Sequence, residues 1–584
     1  MTRAFMKRYF LILSLAVLAA SCGPKNGVHT LHVLTTNDIH GSYFDSTYVG
    51  GGVRKSMFAL KYYVDSVRTA VGEDNVLLLD AGDFLQGDNA AYYFNYVDTV
   101  TPHVFPRLAE YLKYDAVTGG NHDIETGHRV YDRVAADFKE KGIPFLGGNV
   151  IDTATGKPYF QTCALFRKAG LKVAVLGYNN ANMKAWLDES LWSGLDFLSL
   201  VPLVQQDVDA VRAKENPQVV VVVVHSGTGA GDGQVLESQG KDLYQSLQGV
   251  DFVVCSHDHR PAVLEGASVC LLNSGSHMRY VAHGQIDVTV KDRKAVSKKL
   301  AASLIPVDAR KADPAMREAF RSDFEAVRAF TRKEVGELQA ELRTRDAYRG
   351  MCDYMNLIHT VCLQASGAQL SMAAPLTYNG RVQAGTLIFN DMFTIYPFEN
   401  QLFVVELTGR EVKDYLEYSY DQWIRTMARP GDHVLKIEPR DDPRTGQQRW
   451  SFPARSYNFD SAAGLDYTVD VTRPCGQRVK IASLSSGAPF DPEKRYTVAM
   501  TSYRASGGGG LLLNGAGLQP EESQRRIVGK YPEIRNLVYD YVRQNGVIDP
   551  VAIADPALVG RWSFVPAALV APAMDRDMAL LFGN

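Results

Sequence analysis

Residues 251–260 read DFVVCSHDHR, an apolar run that stops at two histidines separated by a single residue. An uninterrupted apolar run of this kind is typical of a strand that is buried on both faces. Imidazoles at a strand end are most often hydrogen-bonded structural groups. Whether His257 and His259 are ligands therefore depends on what stands at the other strand ends of the chain.

The same pattern recurs over residues 30–305, where apolar, β-branched runs end in polar loops. The runs are LHVLTT, NVLLLDAGD, DAVTGGNHD, KVAVLGYNN, QVVVVVVHSG and DFVVCSHDHR. Segments 54–70, 128–142 and 200–213 lie between them and are predicted helices. This organisation predicts an α/β fold, in which ligands bind beyond the carboxyl ends of the strands.

Five of these strand ends carry side chains that bind divalent metal ions. They are Asp38 and His40 in NDIHG, Asp83 in DAGD, Asn121 and His122 in GGNHD, His225 in VVHSG, and His257 and His259 in CSHDHR. Alternate residues of an extended segment share one face, so we expect D-x-H and H-x-H each to grip an ion from a rigid strand end. Accident at five of these six strand ends is a poor alternative, and the sequence predicts a metal centre.

Length and composition limit the number of domains and the classes of binding partner. The 584 residues exceed what one hydrophobic core usually serves, which predicts two domains. A net charge of −3 and the lack of a long basic run argue against a nucleic-acid polymer as partner. A small anionic substrate stays open, because bound metals can supply positive charge.

Residues 1–22 are predicted to be a secretory signal peptide. Arg3, Lys7 and Arg8 precede the apolar stretch YFLILSLAVLAA, which is too short for a comfortable membrane span. Cys22 follows Ala-Ala-Ser and resembles a bacterial lipoprotein processing site; a plain signal peptide is the alternative. We expect a periplasmic or cell-surface protein that is held by a lipid anchor. Of the other cysteines, Cys255 and Cys270 are open to pairing or to remaining buried thiols.

The second half of the chain changes character. Residues 306–345 form a predicted linker, in which 312–345 read as one long helix. A second domain is expected over 346–550, with helices at 353–366, 409–423 and 531–545 and strands at 400–407 and 495–502. The tail 551–584 carries no clear signal.

The order D-x-H, G-D, G-N-H-D, H-S, H-x-H resembles that of the calcineurin-like metallophosphoesterases. Together with the second domain, residues 30–545 resemble the 5′-nucleotidase family, including its 2′,3′-cyclic-nucleotide 2′-phosphodiesterase/3′-nucleotidase branch. The resemblance implies a four-layer α/β/β/α sandwich over 30–305. It also implies a smaller α/β nucleotide-binding domain, joined to the sandwich by the long helix.

The resemblance further implies a two-metal centre and a mechanism. One ion would be held by Asp38, His40 and His259, the other by Asn121, His225 and His257, and Asp83 would bridge both. The ions (zinc, manganese, iron or cobalt) would activate a hydroxide that attacks phosphorus. His122 would stabilise the transition state or the leaving group, with Asp123 or Glu125 as its acidic partner.

YPFEN and TSYRASGGGG resemble the segments with which this family binds its substrate. By position, Phe398 and Tyr503 would sandwich the base and Asn400 would contact the base or the sugar. Gly507 and Gly508 would let the backbone approach the ligand, and Arg504 and Arg381 are candidate phosphate or substrate contacts. Core packing is the alternative role for Phe398.

The second domain also favours one branch of the family. Typical 5′-nucleotidases carry Asn after the second aromatic residue and Asp after the paired glycines, where this chain has Arg504 and Gly509. With YNFDSAAGLDYTVDVT upstream, this favours an exported two-metal enzyme that opens 2′,3′-cyclic nucleotides and dephosphorylates nucleoside monophosphates. The alternatives are a 5′-nucleotidase, with or without UDP-sugar hydrolysis, and a non-catalytic surface protein that binds nucleotides.

Overall fold

The computed structural model describes residues 23–441 and 447–583, so the predicted signal peptide and Cys22 lie outside the described residues. The chain divides into two compact units. Within the described residues, the first comprises 23–184 and Asp188–Val327, and the second comprises Ala185–Leu187, 328–441 and 447–583.

The first unit is built on the apolar runs that the sequence predicts to be strands. Its strands are β1 (Gly27–Thr36), β2 (Val76–Asp80), β3 (Ala116–Thr118), β4 (Phe145–Leu146), β5 (Val150–Asp152), β6 (Lys157–Pro158), β7 (Cys163–Lys168), β8 (Leu171–Tyr178), β9 (Leu195–Phe197), β10 (Val219–Val224), β11 (Phe252–Val254), β12 (Ala262–Glu265), β13 (Cys270–Asn273), β14 (Tyr280–Lys291) and β15 (Lys294–Pro306).

Two six-stranded sheets dominate this unit, in the orders β15-β14-β1-β2-β3-β4 and β12-β13-β11-β10-β8-β7. Strands β1 to β4 run parallel in the first sheet, as do β8, β10, β11 and β13 in the second. Valines and leucines from both sheets form one shared core, for example Leu79 with Val221. Parallel strands bring their carboxyl ends to the same edge of a sheet, so the loops that follow β1, β2, β3, β10 and β11 collect there.

Helices connect and follow these strands along the chain. They are α1 (Met57–Val71), α2 (Asn89–Tyr92), α3 (Val104–Leu112), α4 (Asn121–Ile124), α5 (His128–Glu140), α6 (Met183–Trp186), α7 (Leu200–Glu215), α8 (Gly240–Ser246), α9 (Pro314–Ala319) and α10 (Arg321–Thr331). On the second sheet, Leu200 and Val204 of α7 pack with Val220 and Val222 of β10. This confirms the predicted α/β fold with two sheets between helical layers.

The second unit is a smaller mixed α/β body. Its strands are β16 (Glu334–Leu338), β17 (Leu342–Arg343), β18 (Leu370–Ala373), β19 (Arg381–Val382), β20 (Gly385–Ile388), β21 (Gln401–Thr408), β22 (Glu438–Asp441), β23 (Gln448–Ser451), β24 (Ser461–Ala463), β25 (Leu465–Asp470), β26 (Val479–Leu484), β27 (Arg495–Thr501), β28 (Ile527–Glu533), β29 (Val547–Ile548) and β30 (Gly560–Val565). Its main sheet has the order β24-β18-β27-β21-β28.

Helices and a large aromatic core complete the second unit. The helices are α11 (Asp353–Ser366), α12 (Phe389–Ile395), α13 (Gly409–Trp423), α14 (Ser502–Ala505), α15 (Pro520–Arg525), α16 (Ile534–Asn545), α17 (Pro550–Ile553), α18 (Pro556–Val559) and α19 (Ala567–Phe582). Tyr420, Trp423 and Phe459 are fully buried in the core beside the main sheet. Thr408 caps α13 by accepting from the backbone N–H of Glu411, whose side chain in turn accepts from the backbone N–H of Thr408.

The predicted long helix over 312–345 is wrong. The segment forms two shorter helices, α9 and α10, that meet at Phe320, and strand β16 follows at Glu334. Phe320 is buried and packs against Phe58 and Tyr111 of the first unit. In β16, Gly336 lies so close to Val542 that a Cβ would come within 2.7 Å of it. Sheet pairing of this segment thus overrides its helical spacing.

The segment 551–584 is not a structureless tail. Strand β30 pairs in parallel with β25, and Trp562 and Phe564 enter the core of the second unit. Asp577 of α19 is fully buried and accepts hydrogen bonds from the backbone of Val434 and Leu435, both within 2.9 Å. In the described part of the chain, no helix has both the length and the apolar character that a bilayer crossing needs.

Candidate metal centre

Seven predicted ligands meet at the carboxyl edges of the two large sheets. Asp38 and His40 follow β1, Asp83 follows β2, Asn121 opens α4 after β3, His225 follows β10, and His257 and His259 follow β11. The pairing of Thr36 with Asp80 and of Val223 with Val254 sets neighbouring strands in register just before these loops. Residues that are more than 200 positions apart in sequence thus share one site.

The ligand atoms form two groups. Asp38, His40 and His259 make one, in which the two histidine Nε2 atoms lie 2.9 Å apart and Oδ1 of Asp38 lies 3.5 Å from Nε2 of His259. Asp83, His225 and His257 make the other, with Oδ2 of Asp83 3.2 Å from Nε2 of His225. This is the division that the resemblance implies, with the bridging Asp83 grouped with the second set.

Asn121 joins the second group through its side-chain oxygen. Its Oδ1 lies 3.0 Å from Nε2 of His225 and 2.9 Å from Nδ1 of His257. Nδ1 of His225 donates to the carbonyl of Ala81 at 2.7 Å, so that Nε2 faces the group. A second hydrogen bond of this kind is the usual means of fixing the tautomer of a metal-binding histidine.

The reason given from sequence for the convergence of D-x-H and H-x-H is wrong. These residues are not in extended strands: Asp38, His40, His257 and His259 have φ values of 49°, 46°, 69° and 56°. Non-glycine residues adopt this left-handed backbone rarely, and each such residue costs of order 1 kcal/mol, a cost often found at functional sites. Asp83, with φ 62°, shares the feature.

Asp123 holds the loops together and is not the acidic partner of His122. Its buried carboxylate accepts from the backbone N–H groups of Asp83, Phe84, Leu85 and Gly120 at 2.7–3.0 Å. Gly120 has no room for a side chain, since a Cβ there would lie 2.2 Å from Oδ1 of Asp83. The GNHD motif therefore also builds the loop that carries Asp83.

The structure places Glu125 beside His122. Oε2 of Glu125 lies 2.5 Å from Nδ1 of His122, and the backbone N–H of His122 donates to Oδ1 of Asp83 at 2.9 Å. The His122 side chain is 30% exposed, whereas most of the ligand set is buried. His122 thus lies at the rim of the group with a carboxylate behind its ring, an arrangement suited to proton transfer.

Sequence reasoning missed two residues of this site. Asn37 donates to Oδ2 of Asp38 and to the carbonyl of Gly275, both at 2.6 Å, and so orients the Asp38 carboxylate. His277 packs its ring 5.1 Å from that of His40 and 6.1 Å from that of His259. Asn37 adjoins a predicted ligand, but nothing in NSGSHMRY marked His277.

The electrostatics of the site are those of two carboxylates that are buried among imidazoles. Asp38 and Asp83 are 0% and 1% exposed. Burial, which disfavours a charged carboxylate, raises the pKa of Asp38 to about 8. Burial acts on Asp83 in the same direction, but the imidazoles of His225 and His122 outweigh it and hold the pKa of Asp83 well below its usual range. Burial also lowers the pKa of His257 and His259 to about 3, which keeps both rings neutral.

These residues fit divalent metal ions. Neutral imidazoles, carboxylates and an amide oxygen are the donors that borderline and hard divalent ions prefer. Oδ2 of Asp83 is buried and makes no hydrogen bond within the described residues, as expected of an oxygen that binds a cation. Several candidate ions share these donor preferences, so the ligands do not select between zinc, manganese, iron and cobalt.

In the second unit, the two predicted aromatic residues, Phe398 and Tyr503, both contact a third, Tyr457, which the sequence analysis did not identify. Tyr457 contacts Phe398 at a ring distance of 6.2 Å and Tyr503 at 6.5 Å, both nearly perpendicular. Phe398 is partly exposed and Tyr503 is 37% exposed, so neither is a core residue. Asn400 precedes β21, and its backbone carbonyl accepts from the N–H of Ile534.

Both arginines that were predicted to contact the substrate pair with acidic residues of the protein. Arg504 is buried and its guanidinium is committed to protein groups, with the Asp460 carboxylate accepting at 2.7 and 3.1 Å. Arg381 is exposed and pairs with Glu341, which also binds Arg343. Ion pairing inside the unit thus accounts for both charges.

The structure explains why position 508 is a glycine. A Cβ at Gly508 would lie 2.4 Å from the Tyr503 ring, which rests on this backbone. Gly507, with φ 95°, adopts a left-handed backbone. The glycine run therefore leaves room for the Tyr503 ring to pack against the backbone.

Comparison with known proteins identifies the two halves. Residues 31–261 match the family model for the calcineurin-like phosphoesterase, and residues 331–514 match that for the 5′-nucleotidase C-terminal domain. The first unit is thus a calcineurin-like phosphoesterase, which confirms the predicted class of phosphoric ester hydrolases and indicates divalent metal ions. With the second match, the chain belongs to the 5′-nucleotidase family that joins these two domains.

Several curated proteins are similar over most of this chain. The trifunctional nucleotide phosphoesterase protein YfkN of Bacillus subtilis is 24% identical over 92% of this chain, which spans only 39% of that protein. The 2′,3′-cyclic-nucleotide 2′-phosphodiesterase/3′-nucleotidase of Salmonella typhimurium is 24% identical over 82% of this chain and 81% of its own length. A 5′-nucleotidase of Vibrio parahaemolyticus is 24% identical over 77% of this chain and 89% of its own length.

A solved structure supports the fold. A Staphylococcus aureus protein described as a 5′-nucleotidase, crystallised with alpha-ketoglutarate, superposes with a TM-score of 0.74 at 18% identity, over 92% of this chain and 99% of that one. At this identity the likeness concerns the fold alone.

Proposed function

We propose that this protein is an exported two-metal nucleotide phosphohydrolase of the 2′,3′-cyclic-nucleotide 2′-phosphodiesterase/3′-nucleotidase type. The observation that carries the proposal is the convergence of two ligand groups, Asp38 with His40 and His259, and Asp83 with His225 and His257. Two divalent ions held there would supply positive charge for the phosphoryl oxygens and would acidify an attacking water. The partner is a small nucleotide substrate and not a nucleic-acid polymer.

The residues of the chain have separable roles in this reaction. Asp38 and Asp83 would provide the negative charge that holds the cations, while Asn37 orients the Asp38 carboxylate and Asp123 fixes the loop that carries Asp83. His122 lies beside Asp83, where it can stabilise charge on the phosphoryl group or give a proton to the leaving oxygen. Its Nδ1 is occupied by Glu125, so proton exchange with the substrate would go through Nε2.

Support for a nucleotide comes from the second unit. Phe398, Tyr457 and Tyr503 present partly exposed aromatic rings in one cluster, and nucleobases stack on such surfaces. The similar proteins of Salmonella and Bacillus are named for nucleotide phosphoester hydrolysis.

The choice of the cyclic and 3′-nucleotide type rests on the second unit as well. Arg504 and Gly509 stand where typical 5′-nucleotidases carry groups for the ribose hydroxyls, and Arg504 is bound to Asp460. A 5′-nucleotidase is the second candidate, favoured by the similar Vibrio protein. A non-catalytic nucleotide-binding protein is a remote third, which the complete ligand set disfavours.

Export and anchoring are part of the proposal. The charged start, the short apolar stretch and Cys22 of residues 1–22 support secretion with an N-terminal lipid, at the periplasmic or outer face of a membrane. Globomycin treatment of expressing cells tests the anchor: the lipoprotein precursor should accumulate, and Cys22→Ser should abolish membrane retention. Unchanged membrane association of the Cys22→Ser protein would remove this part of the proposal.

A substrate panel tests the catalytic proposal. The purified protein with added Mn²⁺ is given 2′,3′-cyclic AMP, 3′-AMP and 5′-AMP, and phosphate and adenosine release are followed while bound metal is measured. We expect turnover of the cyclic and 3′ substrates with metal bound. Fast 5′-AMP hydrolysis beside negligible turnover of the other two would establish a 5′-nucleotidase, and a metal-free protein that binds nucleotides without turnover would establish the third candidate.

A further inference from the structure

We propose that Asn458 is a specificity-determining residue of the substrate site, and that its side-chain amide donates to the sugar oxygens of the bound nucleotide. A neutral donor at this place admits nucleotides whose 2′ or 3′ oxygen is esterified. The inference rests on the proposed function and deepens it, because it names the part of the substrate that is selected.

The orientation of the Asn458 amide is fixed by Arg504. The guanidinium makes five hydrogen bonds: to both carboxylate oxygens of Asp460, to the carbonyls of Tyr457 and Gly508, and from Nη1 to Oδ1 of Asn458 at 3.2 Å. A guanidinium has five N–H donors and no acceptor, so it must face the oxygen of the amide and has no donor left for a substrate. The amide nitrogen of Asn458 therefore points away from Arg504.

The Asn458 nitrogen is available to a ligand. Asn458 is partly exposed, and within residues 23–441 and 447–583 its Nδ2 makes no hydrogen bond. The preceding residue, Tyr457, contacts the rings of both Phe398 and Tyr503. The Arg504 guanidinium that binds Oδ1 of Asn458 lies 5.5 Å from the centre of the Tyr503 ring, which brings the Asn458 amide close to the aromatic cluster where a nucleobase would stack.

Asn458 takes the space that a side chain at position 509 would need. A Cβ on Gly509 would lie 2.4 Å from Oδ1 of Asn458 and 2.3 Å from Nη1 of Arg504. The backbone at Gly509 is also left-handed, with φ 71°. The carboxylate that typical 5′-nucleotidases place after the paired glycines is therefore excluded here, and the polar group at this spot is an amide.

An amide donor and a carboxylate select different sugars. A carboxylate accepts hydrogen bonds from a free 2′,3′-diol and repels a phosphate on either oxygen. An amide N–H group donates to hydroxyl, ester and phosphate oxygens alike. Because Arg504 is neutralised by Asp460, the local charge that meets the sugar is close to zero, and an esterified sugar meets no repulsion.

The test replaces the amide donor of residue 458 by a carboxylate acceptor of nearly the same shape. Asn458→Asp keeps one oxygen on Arg504 and replaces Nδ2 by a carboxylate oxygen. The kcat/KM values for 3′-AMP and 5′-AMP are measured with the metal-loaded protein. Asn545→Asp is the matched control, since Asn545 is exposed at the end of α16. We expect the 3′-AMP to 5′-AMP ratio of kcat/KM to fall about 10-fold or more in Asn458→Asp and to stay within twofold in Asn545→Asp.

A ratio that stays within twofold in Asn458→Asp would overturn the proposal, even if the wild-type protein hydrolyses both nucleotides well. If the metal-loaded wild-type protein hydrolyses neither, the proposed function fails, and calorimetric binding of the same two nucleotides decides the present inference. Selective loss of 3′-AMP binding in Asn458→Asp supports it. Equal affinities, or the absence of nucleotide binding to the wild-type protein, overturn it.

Discussion

The backbone N–H of His257 donates to Oδ2 of Asp38 at 2.9 Å, across a separation of 219 residues. Asp38 belongs to one ligand group, with His40 and His259, and His257 belongs to the other, with Asp83 and His225. The hydrogen bond therefore ties the two groups to each other before any ion is bound. A change to one group is expected to disturb the other, and the centre should respond as a unit.

Asp83→Asn is expected to inactivate the protein and to release bound metal. Asp83 is buried, lies against His225 and His122, and is the predicted shared ligand. Loss of its charge should leave less than about 1% of wild-type turnover, since the bound ions supply much of the rate. Steady-state kinetics and elemental analysis of the dialysed protein measure both effects.

The control for this variant is Asp115→Asn. Asp115 is a largely buried carboxylate of the same unit, paired with Lys168 and bonded to the backbone of Leu78, and lies outside the ligand groups. It should lose stability but keep its metal content and its turnover per folded molecule. Wild-type metal content and activity in Asp83→Asn would refute the role of Asp83.

Glu125→Ala is expected to lower kcat/KM by about 10²-fold while metal content stays unchanged, because the carboxylate orients and charges a group in proton transfer. Glu125→Gln should lose less, since its amide oxygen can still accept from Nδ1 of His122. The graded series is measured with a substrate whose leaving group needs a proton and with a nitrophenyl ester that does not. An equal loss for both esters would show that Glu125 acts only on the fold.

Arg504→Met is expected to destabilise the second unit by about 3–5 kcal/mol, because it leaves the buried carboxylate of Asp460 without its partner. Arg410→Met is the matched control, since Arg410 is exposed and pairs with exposed Glu493. Its loss should not exceed about 1 kcal/mol. Urea denaturation followed by tryptophan fluorescence compares the two. Similar small losses would mean that the Asp460 pair is not a buried support of the aromatic cluster.

The second unit should lose stability as the pH falls from about 6.5 toward 3. Burial lowers the pKa of His359, which lies between Ser371 and Ser461, to about 3. The unfolded chain binds a proton near pH 6.5 and the folded chain does not, so this stability is present above pH 6.5 and is lost below it.

Between pH 7 and pH 5 this one histidine should cost about 2 kcal/mol of unfolding free energy. In His359→Asn, whose amide can still bond to a serine hydroxyl, the difference between the two pH values should shrink by about that amount. Urea titrations at both pH values provide the measurement. An unchanged difference would show that other groups govern the acid sensitivity.

The sequence was sufficient to predict which side chains meet in the candidate metal centre, but for a reason that the structure corrects. Apolar runs placed each ligand just beyond a strand end, and parallel strands bring such ends together. The pairing of Asp38 with His40 was attributed to strand alternation, whereas both have left-handed backbone. Such conformations depend on tertiary contacts, here the hydrogen bonds from the backbone N–H groups of Asp38 and His40 to the carbonyls of Gly82 and Asp83, and no local residue pattern reports them.

Features that depend on distant packing were out of reach of the sequence. The helical spacing over 312–345 was real in α10, but Glu334–Leu338 finds two strand partners in β20 and β29. The charge of Arg504 suggested a phosphate contact, and only the structure shows Asp460 opposite it. His277 reaches His40 through a loop whose course no motif indicates.

The central claim is that acidic and imidazole side chains of distant segments hold two cations side by side. Anomalous scattering at the metal absorption edge, from crystals of the protein loaded with Mn²⁺, tests it most directly. We predict two peaks in each molecule, one bounded by Asp38, His40 and His259 and the other by Asn121, His225 and His257, with Asp83 contacting both. A single peak, or none among these residues in metal-loaded crystals, would contradict the account.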